Sequence, residues 1–518
     1  MAGKLYPIST LPGIKRDGTR FASRHYIDGQ WCRFQRGVPR KMGGYKQIVG
    51  ALPNIPRGVF LVPQTLYFNL YIADQNGISV IRIDQFGNAI SDLVDITPDG
   101  FTPDPNHVWT FDVMYSNREE GSTIIAHAAP NLYSISSDIE TPVYYGRTAS
   151  LDPLKEAPIK TSGGIVVLHP YLFIFGNNGL FQWSSDGDPT EYLAPNYNRA
   201  ASQKIVAGMP VRGGNSSPAG LFWSLDSVIR VTFHPNPNGA PGFRFDTISN
   251  QNSILSSRSI VEYDGLYFWA GVDRFLFYNG VVQEVPNTMN QNYFFFNNGT
   301  TGLNYPQRQK VWATKVPQYG EIWWPYPSGA SVECDRAIIY NKRENTWYDT
   351  AFEVDNNFDP VVGRGAGYFE QVFSDPIWGD NVPDNNGTYS IWMHESGIDK
   401  NVGGALTSIP SFFETGDVAW CAIGPEGQWT GADRWIDLEK VEPDFLIRGD
   451  MAFEVRGREF ANSEVVASGA YPFNSETEKV DLREQRRQMT LRFSSDSVGG
   501  FYELGQTLLY FTVGDARS

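Results

Sequence analysis

Short apolar runs broken by turn residues recur along nearly the whole chain. The densest example spans 260–286: Ile260-Val-Glu-Tyr263, Leu266-Tyr-Phe-Trp-Ala270, Arg274-Phe-Leu-Phe-Tyr278 and Val281-Val-Gln-Glu-Val285 are separated by Asp264-Gly265, Gly271-Val272-Asp273 and Asn279-Gly280. Asp-Gly and Asn-Gly supply the positive φ angles of tight hairpin turns, so each marks a reversal between antiparallel strands. Four strands in about 25 residues is the size of one β-propeller blade. Similar units are expected at 66–96, 108–145, 164–189, 205–248 and 310–348, with a looser one at 360–393. Within the second of these, strands are expected at 108–115, 122–128, 131–136 and 143–145. A period of 3.6 sustained over three turns of helix is absent, so the pattern predicts an all-β fold.

The units predict a propeller of six or seven irregular blades over 51–400. Asp399-Lys-Asn-Val-Gly403-Gly404 reads as a linker, and the runs after it alternate apolar and polar residues over five to seven positions. That alternation predicts half-buried strands, so 401–518 is expected to be a C-terminal β-sandwich lobe, closed by a hairpin of 489–493 with 508–513. Residues 1–50 are expected to be a basic N-terminal arm with a first strand at Trp31–Phe34. Trp31, Arg33 and Gln35 should occupy one face of that strand, with Cys32 and Phe34 on the other.

Composition fits this picture. Of 518 residues 14% are aromatic, 51 are Gly and 33 Pro, while only 19% are charged, which favours short strands and tight turns over helices. No apolar run is long enough for a membrane span, and the N-terminus lacks the apolar core of a secretory signal, so assembly in a cytoplasm is expected. Cys32, Cys334 and Cys421 lie too far apart to form a disulfide framework and read as thiols of a reducing compartment. Charge is uneven. The net charge is −15, yet residues 1–60 carry eleven Lys and Arg against Asp17 and Asp28. A basic head on an acidic body suggests a negative partner for the head, either an acidic protein surface or nucleic acid.

The usual catalytic signatures are missing: there is no phosphate loop, no His-Glu-x-x-His, no Gly-x-Ser-x-Gly and no Cys-x-x-Cys. Gly363-Arg-Gly365-Ala-Gly367 lacks the third glycine spacing and the helix of a dinucleotide site. The six histidines are scattered, and Ser184–Asp188 and Asp380–Asp384 read as turns before they read as calcium loops. No catalytic residue, cofactor or metal is therefore expected, and the chain is expected not to be an enzyme. The rival reading is a carbohydrate-binding propeller, with or without glycan hydrolysis: the 14 Trp could stack on sugars, and some of the many carboxylates could pair at roughly 5–10 Å.

One stretch is more specific. Asp28-Gly29-Gln-Trp31-Cys-Arg33-Phe34-Gln-Arg36-Gly37-Val-Pro39-Arg-Lys41-Met-Gly43-Gly44-Tyr45 resembles a motif near the start of the tail nozzle (tail-knob, or packaged-DNA-stabilisation) proteins of short-tailed bacteriophages. Trp183 with Gly187-Asp188-Pro189-Thr190, Phe413-Glu414-Thr415-Gly416-Asp417 and Phe501-Tyr-Glu-Leu-Gly505-Gln506 are similar to later features of the same group. Arg40 departs from its pattern, where an acidic residue is common. The resemblance implies a virion protein made in the bacterial host cytoplasm: a propeller with a sandwich lobe, assembled as a ring of six below the portal and its adaptor. Such a ring retains packaged DNA, conducts it at ejection with only transient contact, and meets tail fibre, spike or needle proteins. Trp31, Arg33, Phe34, Arg36 and Lys41 are the expected assembly interface.

Overall fold

A computed structural model describes residues 4–19, 23–116, 121–129, 138–155, 160–211, 217–235, 242–296, 299, 301–355, 359–369, 372–419, 422–423, 429–430, 434–460 and 462–516. The strand expected at 131–136, and Cys421, lie outside them.

The inner strands of seven antiparallel sheets surround a common axis, so the propeller has seven blades. Six blades take four strands in chain order, beginning at Gly58–Pro63, Val108–Ser116, Gly164–Leu168, Ile205–Val211, Ile260–Tyr263 and Thr314–Val316, and the second of them gains a fifth, Lys160–Thr161. The seventh is composite. Arg364–Tyr368, Ile377–Asp380 and Tyr389–His394 are completed by Tyr45–Leu52, which pairs antiparallel to Tyr389–His394. A strand from the start of the chain thus closes the ring.

Central strands are buried on both faces because a blade packs on each side; Tyr171–Phe175 is buried at every position, whereas the outer Tyr197–Arg199 is not. Six of the seven spaces between blades hold their own apolar cluster among the described residues. The fifth blade follows the sequence pattern closely. Tyr263 pairs with Leu266 across Asp264 and Gly265, both at positive φ, as the Asp-Gly turn requires.

The C-terminal lobe packs two sheets face to face. Lys4–Pro7, Leu508–Ala516, Arg434–Glu442 and Val480–Arg486 form one; Asp28–Gln30, Ser411–Glu414, Gln488–Ser495, Met451–Arg458 and Val466–Ala467 form the spine of the other. Met451–Arg458 alternates strictly, and Phe453 and Val455 point inward with Leu491 and Phe493 toward Ile436, Leu438 and Phe511. A third sheet joins Phe445–Arg448 and Phe501–Leu504 to Val38–Lys41 and Cys32–Gln35.

Three expectations change here. Residues 1–50 are not a separate arm: their strands are built into all three sheets of the lobe and into the seventh blade. Residues 399–404 are not a free linker, since Lys400–Val402 pairs parallel to Tyr45–Lys46 and turns back through Gly403-Gly404 into Ala405–Thr407. The segments at 489–493 and 508–513 do not pair with each other; they lie in different sheets, with Phe501–Leu504 in the third.

The seventh inter-blade space, between blades six and seven, has no separate core. Trp312, Trp323, Ile339, Tyr348, Phe352 and Trp378 belong to one apolar cluster with the sandwich interior. Cys32 and Cys334 are buried in that cluster, and burial pushes the Cys32 thiol up to about 12 and the Cys334 thiol upward as well. Because thiolate is the reactive form, a Cys421→Ser protein should show no thiol titre with an aromatic disulfide until denaturant is added. Labelling of the native protein at the denatured rate would show that this core opens.

Candidate functional site: the axial channel and the interlobe junction

Two places concentrate polar chemistry on rigid elements. The first is the channel on the propeller axis. All seven blades contribute, from or just ahead of their inner strands, to a cavity of about 360 Å³, walled by Val59, Phe60, Phe111, Ile165, Ala207, Ile260, Ala366 and Tyr368 among others. Phe60 stacks on Phe111 with ring centroids 5.8 Å apart and lies 4.8 Å from Tyr368. Arg258 and Asp112 are its charged lining groups. The Asp112 carboxylate accepts hydrogen bonds from the backbone N–H of Val167 at 2.7 Å and of Val113 at 2.8 Å. A neighbouring cavity of about 310 Å³ opens between blades four to seven and carries Glu262 and Lys315, paired at 3.0 Å.

The second is the junction of propeller and lobe. Trp31 sits at φ 50° between two short strands, donates from its indole to the Gly43 carbonyl at 3.1 Å and packs edge-on against Tyr45. That bend aims the next strand at blade six. The Arg33 guanidinium lies 2.9 Å from Glu321 and 2.5 Å from Glu395, and rests 3.7 Å from the centroid of Tyr319. Glu321 also accepts from the Trp323 indole at 2.8 Å and the Tyr348 hydroxyl at 2.6 Å. Burial drives the Glu321 carboxyl up from its usual range, with the Glu395 charge adding to it, even though Arg33 pulls it down. The two carboxylates in turn hold the Arg33 pKa above its ordinary value against its own desolvation.

Trp31, Arg33, Phe34 and Lys41 are each no more than 1% exposed, so the expected assembly interface is corrected: four of its five residues face the chain's own interior. Phe34 packs against Tyr26 and Tyr348, and Lys41 donates to the Gly500 carbonyl at 2.9 Å. Arg36 alone is exposed, and its guanidinium meets Glu503. The basic head is compensated in the same way. Arg16 pairs with Asp28 and Asp349, Arg33 with Glu321 and Glu395, and Arg57 with Glu333, so much of the charge that suggested an external acidic partner is neutralised inside the molecule.

The glycines of the motif have a packing reason. A Cβ on Gly44 would lie 2.2 Å from the Asp399 carbonyl oxygen, and one on Gly43 would lie 2.4 Å from the Glu395 carboxylate. Gly44→Ala must therefore move backbone, and should lower stability by about 1–3 kcal/mol in denaturant titrations; an unchanged midpoint would show that the 395–399 turn yields freely. Gly363 and Gly367 serve similar close approaches, to the Cys334 carbonyl and to Trp312 and Trp378, and the stretch forms the inner strand of blade seven. Asp188 closes its turn by accepting from Thr190.

Sequence reasoning missed Glu321, Glu395 and Tyr319 at the junction and Arg258 in the channel. Arg33 meets partners 288 and 362 positions away, and no local signal marks such pairs.

No family model matches this chain, and no curated protein matches it. Solved structures do. An exo-β-1,3-galactanase from Phanerochaete chrysosporium is similar over 91% of this chain and 100% of its own, at 10% identity and a TM-score of 0.29. A Trypanosoma rangeli sialidase is similar over 86% of this chain and 95% of its own, at 10% identity and a TM-score of 0.31. Likeness this distant assigns neither an active site nor a substrate to this chain. Both proteins are enzymes by name, and the expectation that this chain is not an enzyme is withdrawn. Among the described residues no helix is long and apolar enough to cross a membrane.

Proposed function

We propose that this chain is a wall subunit of the tail nozzle of a short-tailed bacteriophage. The observation that carries the reading is that the motif resembling those proteins is also the weld between the two lobes. Trp31, Arg33, Phe34, Gly43 and Gly44 join propeller to sandwich through one apolar core and a buried ion cluster. A body fused in this way bends little, as retention of a pressurised genome demands. Six copies around the exit channel would hold packaged DNA and later conduct it. The acidic balance of −15 suits a wall along which phosphate slides without adhering. Docking to portal-adaptor and fibre proteins would then use exposed blade edges and loops, since the motif itself is buried.

Antibodies raised against this chain and applied to purified particles of its phage provide the test. Decoration at the tip of the short tail, with six copies of density fitting the propeller in a cryo-EM map, is the expected result. Absence of the chain from purified particles would overturn the reading.

The aromatic cluster of Phe60, Phe111 and Tyr368 inside the axial channel favours a second reading, a propeller that binds carbohydrate and could cleave it. Glycan-array binding lost on Phe111→Ala would support it, and a blank array together with no release of sugar from host-surface polysaccharide would remove it.

A further inference from the structure

A cavity of about 550 Å³ lies on blade two, away from both the axial channel and the interlobe junction. One wall is the segment 100–107, which crosses from blade one to the inner strand Val108–Ser116. The other is built from Ala128, the strand Thr141–Gly146 and Lys160. The volume falls within the roughly 300–1,000 Å³ of small-molecule sites. Hydrogen bonds hold the crossing segment in place. The Asp104 N–H donates to the Gln75 carbonyl at 3.3 Å, the His107 N–H to the Asp104 carbonyl at 3.1 Å, and the Asn106 N–H to the Asp104 carboxylate at 2.8 Å. Phe101 stacks on Trp109 with ring centroids 5.4 Å apart and meets Tyr144 edge-on at 6.1 Å, so the floor is continuous with the core between blades one and two.

The polar groups of this wall are not spent on the fold. Tyr144 is 4% exposed, yet its hydroxyl has no hydrogen-bond partner among the described residues and is not sealed from solvent. A buried hydroxyl ordinarily finds a partner. Lys160 and Glu140 are exposed, and among the described residues neither takes part in an ion pair. The Asn106 side-chain amide is unpaired in the same sense. Burial lowers the His107 pKa, against the pull of the Asp104 charge, so that ring enters the wall as a neutral group. Between these groups lie apolar surfaces: the half-buried ring of Phe101, Pro103, Pro142 and the exposed Ile139.

We infer that this cavity on blade two binds a neutral pyranose unit of a glycan, its hydroxyls on Tyr144, Lys160 and Glu140 and its C–H face toward Phe101. The wall mixes donors with acceptors. A sugar hydroxyl both donates and accepts, so a polyol can answer Lys160 and Glu140 at once. An anion would meet the Asp104 and Glu140 carboxylates, and a cation would meet Lys160. The pinned crossing segment leaves little ordering to be done on binding. The inference shares its ligand class with the carbohydrate reading above but not its site, and it holds equally for a tail subunit.

The test titrates the full chain with the methyl glycosides of glucose, galactose, mannose and N-acetylglucosamine, read by saturation-transfer difference NMR, with glycerol as the comparison. Saturable binding of at least one glycoside, unmatched by glycerol, is expected. Tyr144→Phe removes a single hydroxyl and should weaken that binding by about fivefold, while Phe111→Ala in the axial channel should leave it unchanged. Should Tyr144→Phe fail to fold, Lys160→Ala, at an exposed position, should weaken the same binding. No saturable glycoside, or binding untouched by Tyr144→Phe, would overturn the inference. Binding lost on Phe111→Ala but kept on Tyr144→Phe would place the sugar in the axial channel, overturning this site and leaving the carbohydrate reading in place.

Discussion

Arg33→Met should lower the stability of the folded chain by about 3–5 kcal/mol, the cost of leaving buried carboxylates without their cation. Arg33 is 1% exposed, and its partners Glu321 and Glu395 have side chains 0% and 7% exposed. The sign of the pH dependence follows from Glu321, whose pKa is already raised above 4.5 by burial. A carboxyl raised on folding contributes stability that is complete below its unfolded pKa and lost as pH rises through its folded value. Without Arg33 the folded value climbs further, so the deficit should be smallest near pH 4.5 and widen toward neutrality. Denaturant titrations at several pH values would read this directly. A deficit constant across that range would mean that Arg33 acts by packing on Tyr319, not by charge. Replacing Arg33, Glu321 and Glu395 together by apolar residues of similar size should recover much of the loss, because the desolvation penalty vanishes with the charges.

The second large effect concerns the lobe at the end of the chain. Residues 405–518 expressed alone should not fold cooperatively. The strand Leu508–Ala516 would lose Lys4–Pro7, Ser411–Glu414 would lose Asp28–Gln30, and Phe501–Leu504 would lose Val38–Lys41. Bare edges and an uncovered core follow, and apolar faces such as Phe413 and Tyr502 would meet water. Adding residues 1–44, fused or in trans, should restore a single unfolding transition by circular dichroism. Cooperative folding of 405–518 by itself would show that the N-terminal strands are accessory. Cleavage of the intact chain at the exposed Gly403-Gly404 turn should likewise leave the fragments associated, since the lobe and blades six and seven share one core.

Much of the propeller could be read from local pattern. The Asp264-Gly265 turn and its flanking aromatic runs specified blade five, and comparable turns placed most strands of blades three, four and six. The inner strand Gly58–Pro63 and the closing strand Tyr45–Leu52 are not legible in this way. Each is a short apolar run, and such a run does not reveal which sheet it joins. The Trp31–Gly44 stretch is recognisable as special from sequence, but the burial of Trp31, Arg33, Phe34 and Lys41 is not. Exposed and buried uses of Trp and Arg have the same letters, and only the arrival of Glu321 and Glu395 from distant loops makes Arg33 an interior residue.

Sequence alone determined the fold class, the hairpin chemistry, and the alternation that makes residues 451–458 a half-buried strand, because these depend on neighbours a few positions apart. Tertiary structure decided the ring closure at Tyr45–Leu52, the merging of the N-terminal segment with the sandwich, and the pairing of Arg33 with Glu321 and Glu395. Those depend on groups brought together across hundreds of residues, where pairing and desolvation are set by the whole packed molecule and by no short stretch of it.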